Sequence, residues 1–371
     1  MAKKKYKVFV LAGSLSEGLV YSKILPIINS DEISQVYVFI REKSLELPKC
    51  TYITSPQIIY KIPYKIIKIP LRIIFELSQI IYYSFNKKPD LINGIYTIPY
   101  GLYSVFIARM LFKKNIVSII GDEEELKKIG HKYAKFETRI NNLVFKISSH
   151  ITVKGEKTKD YLIKNGIEES KISIFNGSID EEKFFNKKLE RDIDAIFVGA
   201  FSELKGPDRF IKIISGLKKY VPSIKAVMAG KGEMFYKIEM MIKEYDLGNN
   251  VTLLGYKNNV EDYLNRAKLL FMPSRCEGLS TAMLEAMACG CVPIVSDVGN
   301  MTDAAKHEIN SLVVKDFQDL DSFIKFAKDV LTQNGKWEKI SDSARDTILN
   351  YYSVVKQTAV FNNIIKKIFT E

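Results

Sequence analysis

Histidine and cysteine are scarce in this chain of 371 residues, and long apolar runs are missing. With only His131, His150 and His307 available, a mechanism centred on histidine is disfavoured. The four cysteines, Cys50, Cys276, Cys289 and Cys291, are too few and too unevenly spaced for a disulfide framework. Cys289-x-Cys291 also lacks the second ligand pair of a zinc site. A reduced, cytoplasmic setting without a metal is therefore expected. No stretch approaches the roughly 20 uninterrupted apolar residues that span a bilayer, so any membrane contact is expected to be peripheral. The opening "MAKKKYKVFVLAGSLSEG" begins basic, as a signal peptide does, but its apolar run stops at a glycine-serine turn. It reads as a first strand. Internal repeats and low-complexity tracts are also absent from the sequence.

What is present is ordinary globular material, 47% hydrophobic and 26% charged, in a chain long enough for two domains. The 55 Lys and Arg against 43 Asp and Glu leave a charge of +12, which suggests an anionic partner: nucleic acid, a membrane surface or a phosphorylated substrate. Nucleic acid ranks last, since the lysines are dispersed and no recognition motif of that class is visible. Short β-branched runs alternate with helical stretches: "KVFVLAG", "QVYVFI", "DLINGI", "NIVSIIG", "HITVKG", "ISIFNG", then "DAIFVGA", "KAVMAGKG", "VTLLGY", "LLFMPS", "VPIVSD" and "SLVVKD". That alternation predicts an α/β protein with parallel sheets covered by helices on both faces, and too many strands for one sheet. The polar stretch 176–194 separates the two strand series and reads as a linker. Two Rossmann-like domains facing each other across a cleft are expected, with residues 1–180 in the first, 181–350 in the second and 351–371 forming a last helix.

The chemistry concentrates in "PSRCEGLSTAMLEAMACG", where a strand end at Pro273 is followed by a loop and a helix closed by Gly290. Amides near Gly278, Leu279, Ser280 and Thr281 would form a helix N-terminus that attracts phosphate. Glu285, one turn beyond Thr281, is placed to accept two hydroxyl bonds from a ribose, and Glu277 to reach the group beyond the pyrophosphate. A nucleotide-sugar fits that arrangement. A rival assignment makes Ser274 and Glu277 a capping box, which Gly278 in the first turn disfavours. At the first strand of the second half, Gly199 permits a tight turn, and Lys205 before Gly206 can meet a diphosphate. Lys231 in "AGKGE" is a further phosphate contact to consider, and Tyr256 either flanks a base or packs inside.

Together these residues resemble the retaining glycosyltransferases of family 4, which have the GT-B fold. The resemblance rests on "AGSLSEG", "IFNGSIDEEKF", "VGAFSELKG", and the E-x(7)-E pair Glu277 and Glu285 within residues 251–300. It implies that Glu277 contacts the donor sugar, Glu285 the ribose, and Lys205 the donor phosphates. Many members carry an arginine where this chain has Ala200, and a histidine where it has Gly121-Asp122. The implied activity is retaining transfer of a hexosyl group from a nucleotide-diphosphate-sugar, with a UDP-sugar expected, to a glycan or lipid-linked acceptor in cell-surface polysaccharide or glycoconjugate synthesis. Charge would be carried by Lys205 and the 279–281 amides, without metal. Gly13, Ser14, Asp122 and Glu123 are assigned to the acceptor side, and Asp122 joins Glu277 and Lys205 in the catalytic set. A nucleotide-sugar epimerase and a non-catalytic binding partner remain as alternatives.

Residues 60–85 add an expectation of their own. Lys61, Lys65, Lys68, Arg72, Glu76, Gln79 and Tyr83 recur at helical spacing as a polar stripe, with Pro63 and Pro70 interrupting. A break near Pro70 is predicted, with a second helix from about Leu71. For 60–70 the basic stripe suits an anionic membrane surface, which would place the protein peripherally at the cytoplasmic face. For 71–85 a core helix with a narrow solvated face is an equal reading.

Overall fold

The computed structural model describes residues 4–13, 17–41, 46–55, 65–121, 134–333 and 335–370. Two compact units divide the chain, Met1–Ser178 with Val354–Glu371, and Ile179–Ser353. In the first, β1 (Tyr6–Gly13), α1 (Glu17–Ile28), β2 (Ile33–Ile40), β3 (Cys50–Thr54), α2 (Lys65–Lys87) and β4 (Leu91–Ile95) come in order. They are followed by α3 (Leu102–Met110), β5 (Lys114–Ser118), α4 (Ala134–Ile147), β6 (His150–Val153), α5 (Glu156–Lys164) and β7 (Ile172–Ile174). The sheet is parallel, in the order β3-β2-β1-β4-β5-β6-β7.

The central strands are buried on both faces, which is why they read as continuous apolar runs: all of β4, and Val8 to Gly13 of β1, are inaccessible to water. The edge strand β3, absent from the expectations above, buries only Ile53 in the sequence Cys-Thr-Tyr-Ile-Thr. One face of the sheet is covered by α1 and by α13 (Val354–Thr370), where Ile24 and Ile27 meet Phe361, Ile364 and Ile365, and Tyr6 stacks on Phe369 at 3.9 Å. The other face carries α2, α3 and α4.

Helix α2 corrects two expectations. It runs unbroken from Lys65 to Lys87, with Pro70 inside. Pro70 lies in the second turn, so its missing amide deprives only the Ile66 carbonyl, one turn from the helix start. From Arg72 onward the polar stripe also faces the protein instead of solvent. Glu76 is 2% exposed, accepts a hydrogen bond from the Tyr100 hydroxyl at 3.2 Å, and lies 3.5 Å from Arg41 Nε and 3.7 Å from Arg72 Nε. Gln79 accepts from Ser55 Oγ. The apolar side, including Ile69, Ile73, Ile74, Tyr82 and Phe85, points outward. Of the basic residues in the stripe, Lys65 and Lys68 belong to the start of α2, and Lys61 lies outside the described residues.

The second unit runs β8 (Ile193–Val198), α6 (Pro207–Lys218), β9 (Ala226–Ala229), α7 (Phe235–Glu244), β10 (Val251–Gly255), α8 (Val260–Arg266) and β11 (Ala267–Met272). Then come α9 (Thr281–Ala288), β12 (Val292–Ser296), α10 (Met301–Ala304), β13 (Leu312–Val314), α11 (Leu320–Thr332) and α12 (Lys336–Thr347). Its sheet, also parallel, has the order β10-β9-β8-β11-β12-β13. All four cysteines are free thiols, and burial pushes Cys291 up to about 12 and Cys289 in the same direction. Neither is a thiolate at neutral pH.

His150, at the start of β6, is 2% exposed with Nε2 2.9 Å from Ser173 Oγ. Burial, reinforced by the charge of Lys367, lowers it from 6.5 to about 4. Between those values the unfolded chain binds a proton that the folded chain refuses, so stability is whole above about pH 6.5 and falls as pH drops toward 4. The loss amounts to as much as about 3 kcal/mol. Thermal unfolding of His150→Gln should therefore show a shallower fall between pH 7 and 4.5 than the wild type. Equal slopes would remove His150 as a source of acid sensitivity.

Candidate active site

In an open parallel sheet the ligand crevice forms beyond the carboxyl ends of two neighbouring strands whose connections leave in opposite directions. In the second unit those strands are β8 and β11. The loop after β8 is pinned to the loop after β9: Gly199 N donates to Ala229 O, Phe201 N to Lys231 O at 2.8 Å, and the buried Phe201 ring stacks on Phe235. A Cβ at Gly230 would collide with the Gly199 carbonyl, and one at Gly232 with the Phe201 backbone. The glycines of "AGKGE" thus serve the close approach of two chains.

Beside this joint lies a cavity of about 380 Å³, lined by Val198, Gly199, Ala200, Lys231, Tyr256 and Val260 among others. That volume is within the roughly 300–1,000 Å³ of small-molecule pockets. Tyr256 is 65% exposed and so is not a packed core residue; Lys231 Nζ stands 5.9 Å from its ring centre. Apolar walls with an aromatic ring and an ammonium suit a flat heterocycle attached to an anion.

The loops after β8 and β11 meet at an ion pair. Lys205 Nζ lies 2.6 Å from Glu277 Oε1, with the lysine side chain 33% and the glutamate 6% exposed. Ser274 Oγ donates to the same carboxylate oxygen at 3.2 Å. Arg275 N donates to Leu204 O at 2.7 Å, while Arg209 donates from Nε to Pro273 O at 2.6 Å and from Nη2 to Glu203 O at 3.0 Å. Gly206 adopts φ 71°, and a Cβ there would stand 2.5 Å from the Pro273 carbonyl. Burial lowers the Arg209 guanidinium from its ordinary value, with Asp208 and Glu203 opposing; it remains a cation at neutral pH.

The capping-box alternative does not hold. Helix α9 starts at Thr281, with Ser280 as its N-cap accepting from Met283 N at 3.4 Å. Ser274 and Glu277 still pair at the spacing of such a box, but in a loop. Gly278 and Leu279 complete that loop, and Glu285 is half-buried one turn into α9. The structure thus joins Lys205 and Glu277 directly, and gathers Gly199, Lys231 and Tyr256 around the cavity. Ser274 and Arg209 were missed as site residues. The S-x-x-E spacing was the available signal for Ser274, and none marked Arg209.

On the assigned acceptor side, Gly13 ends β1 with φ 61°, where a Cβ would collide with the Tyr100 ring. Its carbonyl accepts from Arg41 N at 2.9 Å. Ser14, Asp122 and Glu123 lie outside the described residues.

The two units are those of the GT-B fold, and residues 178–347 match the family of glycosyl transferases group 1. Among solved structures, sucrose-phosphate synthase from Thermosynechococcus elongatus aligns with a TM-score of 0.80 at 15% identity, covering 99% of this chain and 100% of that one. Anabaena HepE in complex with UDP-glucose aligns at 0.78 and 14% identity, covering 97% and 100%. An uncharacterized glycosyltransferase of Methanocaldococcus jannaschii is 27% identical over 232 residues, 61% of each chain. The Escherichia coli UDP-Gal:alpha-D-GlcNAc-diphosphoundecaprenol alpha-1,3-galactosyltransferase is 26% identical over 206 residues, 52% of this chain and 53% of that enzyme. The matches to these two curated relatives thus span only about half to three fifths of their length.

Glu277 is a buried charge whose cation is Lys205, so the two should be energetically coupled before any ligand arrives. A double-mutant cycle of thermal unfolding with Lys205→Met and Glu277→Gln is expected to give a coupling of about 1 kcal/mol or more. Additive effects would mean that the pair contributes no more than a solvated surface contact.

Proposed function

We propose that this protein is a retaining, metal-independent glycosyltransferase that moves a hexosyl group from a nucleotide-diphosphate-sugar, a UDP-sugar in the first instance, to a hydroxyl of a lipid-linked glycan acceptor. The observation that carries this reading is the Lys205–Glu277 pair at the same carboxyl edge of the sheet as the 380 Å³ cavity, in a stretch that matches the group 1 glycosyl transferases. In this reading the base occupies the cavity next to Tyr256, Glu285 takes the ribose hydroxyls, and the diphosphate lies between Lys205 and the first amides of α9. Glu277 holds Lys205 on one side and orients sugar hydroxyls on the other.

The bond between the sugar's anomeric carbon and the diphosphate breaks, and negative charge grows on the leaving oxygen. A cation and helix amides fixed in advance stabilise that charge more than the ground state, without reorganising. The acceptor hydroxyl bonds to the same face of the anomeric carbon, and its proton passes to the departing phosphate oxygen, so no protein nucleophile takes part. Glu285→Gln replaces an acceptor-only carboxylate with an amide, and UDP affinity by calorimetry should fall about ten- to a hundredfold, since hydrogen bonds to a charged acceptor contribute roughly 1.5–3 kcal/mol. Unchanged affinity in a folded variant would sink the ribose assignment. A panel of nucleotide-sugars with and without acceptor tests the reaction class, because conversion of the donor alone would mark an epimerase.

The lipid-linked acceptor is supported by the outward faces of α2, α3 and α4. Ile69, Ile73 and Ile74 on α2, Leu102 and Phe106 on α3, and Phe136 and Leu143 on α4 are all exposed. The exposed charges on α3 and α4 are basic, Arg109, Arg139 and Lys146. Apolar side chains among cations suit an anionic bilayer surface, with cations contributing about 1 kcal/mol each. None of the helices among the described residues is long and apolar enough to cross a membrane. Flotation with anionic liposomes should capture the wild type and lose an Ile74→Asp, Phe106→Asp variant, and high salt should weaken capture. Equal flotation of both proteins would remove membrane docking.

A further inference from the structure

At the amino edge of the first unit's sheet, opposite the strand end that holds Gly13, lies a second cavity of about 180 Å³. Its lining is Lys114 at the start of β5, Ser149 and His150 at the start of β6, Ser170 and Lys171 just before β7, and Lys367 with Ile368 from the last turns of α13. Three ammonium groups and two hydroxyls thus converge from four separate segments, and no carboxylate lines the space among the described residues. Two acids flank it in sequence and are engaged: Glu168 lies 3.3 Å from Lys171, and Glu169 lies 2.7 Å from Lys159. Lys114 and Lys367 make no ion pair among the described residues. Glu168 and Glu169 offset these like charges only in part, the latter also acting on Lys367, and a bound anion would relieve the repulsion that remains. The volume falls below the roughly 300 Å³ at which pockets begin to bury drug-sized ligands, so a nucleotide-sugar does not fit.

We propose that this cavity binds a phosphate group, either as inorganic phosphate or as the phosphoryl end of a small monoester. A tetrahedral dianion offers several acceptor oxygens at once, which matches lysines and hydroxyls arriving from different directions, and charge-assisted bonds of this kind are the stronger ones. The neutral imidazole of His150 forms the floor, where it can donate or accept without adding charge. Because Lys367 belongs to α13 while the other ligands belong to the β5–β7 edge, the anion would fasten the final helix to the sheet it covers.

The test uses the whole chain carrying Lys205→Met with Glu277→Gln, so that phosphate binding in the second unit does not obscure the result and no buried carboxylate is left unpaired. Inorganic phosphate and methyl phosphate are titrated at constant ionic strength against chloride, following the His150 ring resonances and the unfolding midpoint. Phosphate should move the His150 signals and raise the midpoint. Adding Lys114→Ala and Lys367→Ala should weaken binding by about tenfold or more, while Lys367→Arg should retain it. Tighter binding of methyl phosphate would name a monoester as the ligand, and tighter inorganic phosphate the free ion. His150 signals that ignore both anions, or an affinity unchanged by the double lysine replacement, would overturn the site.

Discussion

A carboxylate taken out of water must bring its own cation, and the second unit is arranged around meeting that requirement at Glu277. Unpaired, such a charge costs several kcal/mol, so Lys205 and Ser274 are obligatory neighbours. Because the lysine follows one strand and the glutamate another, pairing them fixes two loops at once. The left-handed backbone of Gly206 and the two bonds from Arg209 are the means by which the chain reaches that geometry. The Lys205 ammonium is therefore held in place by its pairing with Glu277.

Much of this could be read from residues alone, and the exceptions have physical reasons. Strands buried on both faces announce themselves as apolar runs, and each of the twelve runs singled out overlaps an observed strand. The missing one, β3, is an edge strand with a single buried side chain, and its five residues hold no run of consecutive apolar residues like those of the central strands. Helix α2 misled for a different reason. Its periodicity correctly separated polar from apolar sides, but periodicity does not say which side meets water. The answer came from Arg41, Ser55 and Tyr100, distant in sequence, which satisfy Glu76 and Gln79 and so make the polar side the inner one. At the site, the spacing of Glu277 and Glu285 located the loop and helix. It was blind to Arg209, whose role is to bind backbone carbonyls that any residue could supply. Tertiary contacts of that kind leave no motif.

The last helix has a consequence for how the molecule comes into being. Phe361, Ile364, Ile365 and Ile368 belong to the core of the first unit, although the whole of the second unit lies between them and the strands they cover. Order of synthesis and order of burial are thus inverted: the first sheet is made early, yet the strip of its face beside α1 stays open until residues beyond 353 exist. The second unit, drawn from one uninterrupted stretch, has no such wait. During production the chain consequently passes through a stage in which its later half is able to close while its earlier half still presents an apolar strip, and only the α13 segment can cover it with native contacts.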